Sequence, residues 1–413
     1  MTVSRRSLLA GAIGAAAIGG GRAHAARPLG LRRGVNLWPW FSLTREHPAP
    51  RTDYAWPPFQ LDRPVPTRAD LARLRGAGLD FVRLPVDPGP FLAAAPAAKR
   101  SLLDQVMAAV ALAQGEGLAV IVNLHANAAT HHWTPSRLFG SLEAPAFPAY
   151  RDLVTELAAR LGRSDLEWTG FEPVNEPLQA CGSADWGEMQ KRLLATARLA
   201  APGLTLLATG ACGSMITGLE PLRVRELSLY EPLLFTFHFY EPYLFSHQGA
   251  RWMSEPVYRA LNSVPWPAAR GNLDATLAAV RARMAALGEP AQGSGAAAYR
   301  ETVRVLKEYF DAQPDRPFID GYLRRVRAWS EREGVQPGRI LMGEFGALRS
   351  GGGTVASAPD DRARYVRDVR LGAEALGFPW AFWNLFDSMG MMDDVSRRLD
   401  PAMIAALGLR MPD

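Results

Sequence analysis

Eight short runs rich in β-branched and aromatic residues, separated by longer stretches, limit how this chain can fold more than any other feature. In order they are RGVNLW, DFVRLPV, LAVIVNLH, LEWTGFEPVNEP, LTLLATG, LLFTFHFYEP, RILMGEFGA and PWAFWNLFD. Between them lie segments of helical period, among them TRADLARLRGAG, KRSLLDQVMAAVALAQGEG, YRDLVTELAARLG and RARYVRDVRLGAEALG. Several end on glycine just before the next strand, where a left-handed residue closes a helix. The strands are almost continuously apolar, which fits parallel strands covered on both faces. Eight strand–helix units in series predict an α/β fold, a (β/α)8 TIM barrel with its functional loops at the C-terminal ends of the strands. A doubly wound open sheet is the alternative. It has less support, because the first strand runs into the bulky RGVNLWPWF rather than a glycine-rich phosphate loop.

A chain of 413 residues, 48% hydrophobic and 21% charged, can bury a large core, and barrels of this size fold as one domain. No low-complexity block or Pro/Ser-rich linker divides it. The expected organisation is a targeting segment, residues 1–25, followed by a single domain, 26–413. Residues 243–316, after the sixth strand, are too many for a simple connection and predict an elaborated loop over the barrel mouth. In MTVSRRSLLAGAIGAAAIGGGRAHAA, Arg5 and Arg6 form a twin-arginine pair, an apolar stretch runs from Leu8 to Ile18, and Ala23-His24-Ala25 fits a cleavage site. The segment resembles bacterial twin-arginine signals, which implies export of the folded protein to the periplasm or beyond. No later run is long and uncharged enough to span a bilayer, so no stable membrane insertion is expected.

The formal charge of +5 does not point to nucleic acid. Cleavage after Ala25 removes Arg5, Arg6 and Arg22 and leaves +2, with the other arginines scattered among carboxylates, as in LRRVRAWSERE. Only Cys181 and Cys212 are present, on loops after neighbouring strands. A single bridge and two free thiols are both open at this stage. No Cys/His spacing of the zinc type occurs, and no metal is expected.

In a barrel, the polar residue closing a strand points into the mouth. Collecting those residues gives Arg83, His125, Asn175, Glu176, His238, Tyr240, Glu344 and Trp383. Two carboxyls with hydrogen-bonding and aromatic company are what metal-free glycosidic cleavage needs. One acid protonates the leaving oxygen, and a second carboxylate attacks the anomeric carbon or activates water. Singly, each has a plainer reading as a salt-bridge partner, structural histidine or core aromatic. Glu172 reads as facing away from the pit and Glu241 as a loop residue, neither with a chemical role. His131, His132 and Trp133 follow the third strand; sugar contacts are expected of them rather than a metal. Trp38, Trp40, Phe41, Tyr54, Trp56 and Phe59 offer stacking platforms, about half of them expected in the core.

The ordered set VRLPV, VNLHA, FEPVNEP, FHFYEP, GEFGA and AFWNLFD resembles glycoside hydrolase family 5, the cellulase-type family of (β/α)8 retaining glycosidases. The resemblance spans nearly the whole chain after residue 25. It implies Glu176 as general acid/base and Glu344 as nucleophile. It further implies Arg83 and Tyr240 on Glu344, Asn175 on the sugar 2-hydroxyl, His238 beside the proton donor, His125 on substrate hydroxyls, and Trp383 as a stacking face. It also implies a retaining mechanism, with the carboxyls about 5–5.5 Å apart. No cofactor is implied. The expected activity is hydrolysis of a β-linked glucan, polysaccharide or oligosaccharide, most simply as an endo-β-1,4-glucanase acting as a monomer. β-Mannan cleavage, exo- or endo-cleavage of β-1,3-glucan, and an inactive polysaccharide-binding barrel are the alternatives.

Overall fold

The computed structural model describes residues 29–253 and 255–412; the expected targeting segment, residues 1–25, lies outside them. Eight strands form the expected barrel: β1 (Arg33–Asn36), β2 (Phe81–Val86), β3 (Ala119–Leu124), β4 (Thr169–Glu172), β5 (Thr205–Thr209), β6 (Leu233–Phe239), β7 (Ile340–Phe345) and β8 (Trp380–Phe382). Each pairs in parallel with its neighbours, and β1 pairs with both β2 and β8, which closes the cylinder. The longer helices on the outside are α1 (Arg68–Ala77), α2 (Pro96–Gly115), α3 (Phe147–Leu161), α4 (Ala184–Ala200), α5 (Leu273–Ala286), α6 (Ala296–Ala312), α7 (Arg316–Glu333) and α8 (Pro359–Ala375). Helix α1 shows how local sequence sets these boundaries. Thr67 and Asp70 form a reciprocal capping box at its start, Gly78 closes it at φ 108°, and Leu71, Leu74 and Ala77 face the barrel.

The side chains inside the barrel lie in two tiers. Phe81, Ile121, Leu207, Leu234, Leu341 and Ala381 form the apolar lower tier, plugged from below by Leu29 and Leu31. The β-period of two then carries the interior face upward from Phe81 to Arg83, from Ile121 to Asn123 and from Gly170 to Glu172. Register brings the upper tier together, with Asn36 opposite Arg83, Asn123 opposite Glu172 and His238 opposite Glu344. All six are buried.

Glu344 reaches that tier through a bulge. Phe237 pairs with Met342, but His238 pairs with Glu344, so Gly343 is an extra residue in β7. Because Leu341 faces the interior, unbroken alternation would send Glu344 outward; the extra residue turns it back in. Glycine fits there because a Cβ would lie 2.5 Å from Thr236 Oγ1.

Two connections depart from simple strand–helix units. Between β5 and β6 there is only a four-residue helix, Ile216–Leu219, and a 3-10 turn, Val224–Tyr230. Gly210, Gly213, Gly218, Pro221 and Pro232 in this stretch disfavour anything longer. Gly210 and Gly218 also approach so closely that a Cβ on either would overlap the other's segment. After β6, residues 243–312 contain the short helices Tyr243–Ser246 and Pro256–Ala260, a 3-10 turn at Ala268–Arg270, and then α5 and α6. Trp266, Val280, Met284, Leu306 and Tyr309 join the main hydrophobic core, while Tyr243, Met253 and Tyr258 pack near Tyr240 and Trp383 at the mouth. Among the described residues, no helix is long and apolar enough to cross a membrane.

Gly34 gives a stability test of the lower tier, because a Cβ there would lie 2.4 Å from the Phe81 ring. Gly34→Ala is expected to lower unfolding free energy by about 1–3 kcal/mol through overpacking, read as a shift in urea midpoint at unchanged slope.

Candidate active site

Arg83 occupies the centre of the upper tier with no exposed surface. Its Nε and Nη2 donate to Glu172 Oε2 and Oε1 at 2.7 and 3.0 Å, a bidentate pair. Nη1 donates to Glu344 Oε1 at 2.8 Å and to Asn36 Oδ1 at 2.9 Å, and Nη2 also reaches Asn175 Oδ1 at 2.6 Å. Burial opposes the charge on the guanidinium, but Glu172 and Glu344 more than restore it and raise its pKa above the ordinary value. The expectation that Glu172 faces away from the pit is therefore wrong. Glu172 is 1% exposed and clamps the arginine from within. Strand parity carried the signal: Phe171 packs in the outer core, so its neighbour must face inward. Asn36, also missed, is the inward residue of β1 and ties Arg83 to the backbone at Gly343 O, 3.0 Å away.

Glu344, at the end of β7, is 4% exposed and accepts from Arg83 on one oxygen and from the Tyr240 hydroxyl on the other, at 3.0 Å. Burial pushes its carboxyl above the usual range, and the Arg83 guanidinium offsets only part of that rise. Glu176 is placed differently. Strand β4 ends at Glu172, so Glu176 rides on a loop four residues beyond it rather than at the strand end. Its Oε1 lies 2.6 Å from His238 Nδ1, and no arginine or lysine pairs with it among the described residues. The side chain is 42% exposed, yet it lies deep enough in the concave mouth that lost hydration governs its acidity. Desolvation raises it to about 7, only partly offset by Arg83. The solvent-facing surface tempers this value without changing its direction. Burial also lowers His238, and His125 with it, so both imidazoles are neutral at pH 7.

His125, Trp38 and Trp383 make an aromatic wall. His125 stacks on Trp383 at 5.4 Å between ring centres, and Trp38 lies 5.6 Å from each. Asn175 Nδ2 is 3.4 Å from His125 Nε2. All eight residues expected at the mouth therefore converge there, supported by Glu172 and Asn36. Asn123 Nδ2, Thr236 Oγ1 and His238 Nε2 are buried there without a protein partner.

The other mouth aromatics divide as expected, with Trp40, Phe41 and Phe59 in the core and Trp56 58% exposed. His131 and Trp133 are bonded to the neighbouring hairpin. His131 Nε2 is 2.7 Å from Arg51 O and its Nδ1 is 3.1 Å from Glu46, while Trp133 Nε1 donates to Thr52 O. They brace the hairpin of Thr44–Glu46 and Tyr54–Phe59. Cys181 and Cys212, left open by the sequence, form a disulfide with Cα atoms 4.8 Å apart. Among the described residues, one histidine–carboxylate trio has metal-ligand spacing: Glu176, His238 and Glu344, whose donor atoms lie within 4.8 Å of one another. The same spacing serves two carboxyls acting on one bond with a proton-sharing imidazole between them.

The model of the cellulase family, glycosyl hydrolase family 5, matches residues 49–388. Endoglucanase 3 of Fibrobacter succinogenes is 22% identical over 254 residues, covering 60% of this chain and 34% of that protein. Cellodextrinase A of Ruminococcus flavefaciens is 26% identical over 234 residues, 55% of this chain and 64% of that protein. The chain thus spans about a third of the first relative and under two thirds of the second. Among solved structures, Cel5A of Thermotoga maritima in complex with cellobiose superposes with a TM-score of 0.66 at 20% identity, covering 92% of this chain and 97% of that one. At that identity, the likeness speaks to the fold.

Removing Glu172 leaves Arg83 short of a carboxylate in the barrel centre. Glu172→Ala is expected to cost about 3–5 kcal/mol of stability, and Glu172→Gln less, measured by urea unfolding.

Proposed function

The chain belongs to glycosyl hydrolase family 5, and from that premise we propose that it is an exported, retaining β-glycoside hydrolase of β-linked glucans, most simply an endo-β-1,4-glucanase. One observation carries the reading: Glu176 and Glu344 bring carboxyl oxygens within 4.8 Å of one another while occupying unlike environments. That spacing suits direct attack on carbon. An inverting enzyme would hold its carboxyls about 6.5–9.5 Å apart to admit a water. The names of the two curated relatives, an endoglucanase and a cellodextrinase, support a β-1,4-glucan.

The reaction follows from the two environments. Glu344, held by Arg83 and Tyr240, is the carboxylate that attacks the anomeric carbon. Glu176, raised to about 7, keeps a proton near neutral pH and gives it to the departing oxygen. The glycosidic bond breaks as the Glu344–carbon bond forms. In the second half, Glu176 takes a proton from water, whose oxygen displaces Glu344 with net retention. Asn175, oriented by Arg83, is placed for the sugar 2-hydroxyl. His125, Trp38 and Trp383 form the surface for the ring.

Export belongs to the same reading. It rests on the twin-arginine segment, and the Cys181–Cys212 bridge supports it, since such bridges persist in oxidising compartments. A reducing-end assay on carboxymethyl cellulose, barley β-glucan, laminarin and mannan tests the substrate class, with the first two expected to be cleaved. Glu344→Gln is expected to lower kcat by at least about 10³-fold; near-native turnover, or products of inverted configuration, would refute the mechanism.

The pH profile supplies a separate test. The proton donor must be protonated, so kcat/KM should fall as pH rises through about 7, where Glu176 ionises. The nucleophile must be ionised, so activity should also fall in acid as Glu344 protonates. Glu176→Gln should abolish the alkaline limb and leave the acid one.

A further inference from the structure

The loop after β5 holds the loop after β4 by a regular set of bonds that the chemistry above does not use. Beyond β4, residues 175–180 alternate in burial: Asn175, Pro177 and Gln179 are buried, and Glu176, Leu178 and Ala180 are exposed. The carbonyls of the three buried residues each meet one residue of the neighbouring loop. Ser214 Oγ donates to Asn175 O at 2.7 Å, Gly213 N to Pro177 O at 2.8 Å, and Cys212 N to Gln179 O at 2.8 Å. The next odd residue is Cys181, and it is joined covalently to Cys212. The two loops are therefore zipped at every second residue from Asn175 to Cys181, with Glu176 inside the zipped stretch.

The strap itself is held in an unusual backbone state. Cys212, Gly213 and Ser214 have φ of 58°, 67° and 58°, a left-handed run that residues with a side chain adopt only when surrounding contacts over-determine it. Ser214 is fully buried. Its hydroxyl also accepts from Thr209 Oγ1 at 2.8 Å, and its carbonyl accepts the His238 N–H at 2.8 Å. One residue thus touches the peptide just before Glu176 and the backbone of the histidine 2.6 Å from the Glu176 carboxyl.

We propose that Ser214, locked in its left-handed turn by the Cys181–Cys212 bridge, is a positioning residue that sets Glu176 against His238 for proton transfer. It contacts neither the expected position of the sugar nor the reacting oxygens; it acts through the two residues that do the transfer. This inference rests on the assignment of Glu176 as proton donor. It further implies that proton delivery is best placed only after the bridge has formed, so oxidation would complete the site.

The test separates positioning from mere stability by varying the leaving group. A 2,4-dinitrophenyl β-cellobioside loses its aglycone as the phenolate, which needs no proton, whereas the sugar leaving group of barley β-glucan needs one. Ser214→Ala should lower kcat/KM on barley β-glucan about tenfold, the weight of one buried hydrogen bond, and change that on the activated substrate by less than about twofold. Equal losses on both substrates, or none on either, would overturn the proposal. Cys181→Ser/Cys212→Ser, and wild-type protein treated with dithiothreitol below its melting temperature, should show the same selectivity to a lesser degree. Unchanged selectivity in both would overturn the role of the bridge. Glu176→Ala provides the reference: kcat/KM, which reports the first half of the reaction, should fall about 10²–10⁴-fold on the glucan and far less on the activated substrate, whose kcat falls instead because the second half has lost its base. If Glu176→Ala lacked that signature, the proton-donor assignment itself would fall, whatever Ser214→Ala did.

Discussion

A guanidinium with no access to water lies at the centre of this barrel, and much of the site is arranged to tolerate it. Removing such a charge from solvent costs several kcal/mol, and only close, well-directed partners offset that cost. Arg83 has two carboxylates, one bidentate, and two amide oxygens. Those partners come from β1, β4, the loop after β4, and β7, so the arginine ties a large arc of the barrel into one network. Glu172 is then a requirement of the charge rather than an accessory. Without it, Arg83 would have Glu344 as its one carboxylate.

The same network makes the two active-site carboxyls different. Glu344 has a donor on each oxygen and lies on a regular strand made to face inward by the bulge at Gly343. Glu176 lies on a loop, with a neutral imidazole at 2.6 Å and a pKa raised to about 7. Unlike surroundings are what the opposite roles proposed for the two glutamates require at one pH. The strap at residues 212–214 belongs to this division, since a loop carboxyl lacks the rigidity that β7 gives Glu344.

How much of this was legible follows from the range over which each signal acts. The barrel was readable because apolar runs and glycine stops are local, and eight in series leave few topologies. The missing helix between β5 and β6 was obscured by the expectation of regularity, although Gly210, Gly218 and Pro221 stood in the sequence. Seven of the eight mouth residues lie near the end of a strand or just beyond it, whereas Arg83 lies within β2. Glu172 was missed because its side was judged without counting parity from Phe171. The bonds of His131 and Trp133 to Arg51 O and Thr52 O were not legible, because those partners are about eighty residues away.

The sequence by itself determined the eight strands, their order and the chemical kinds of side chain at their ends, because propensity and period act between near neighbours. Tertiary structure alone decided which charges meet. The pairing of Arg83 with Glu172, the inward turn of Glu344, the bridge between Cys181 and Cys212 and the hold of Ser214 on Asn175 depend on register and loop approach. Those are set by closure of the whole cylinder, which no local stretch of chain encodes.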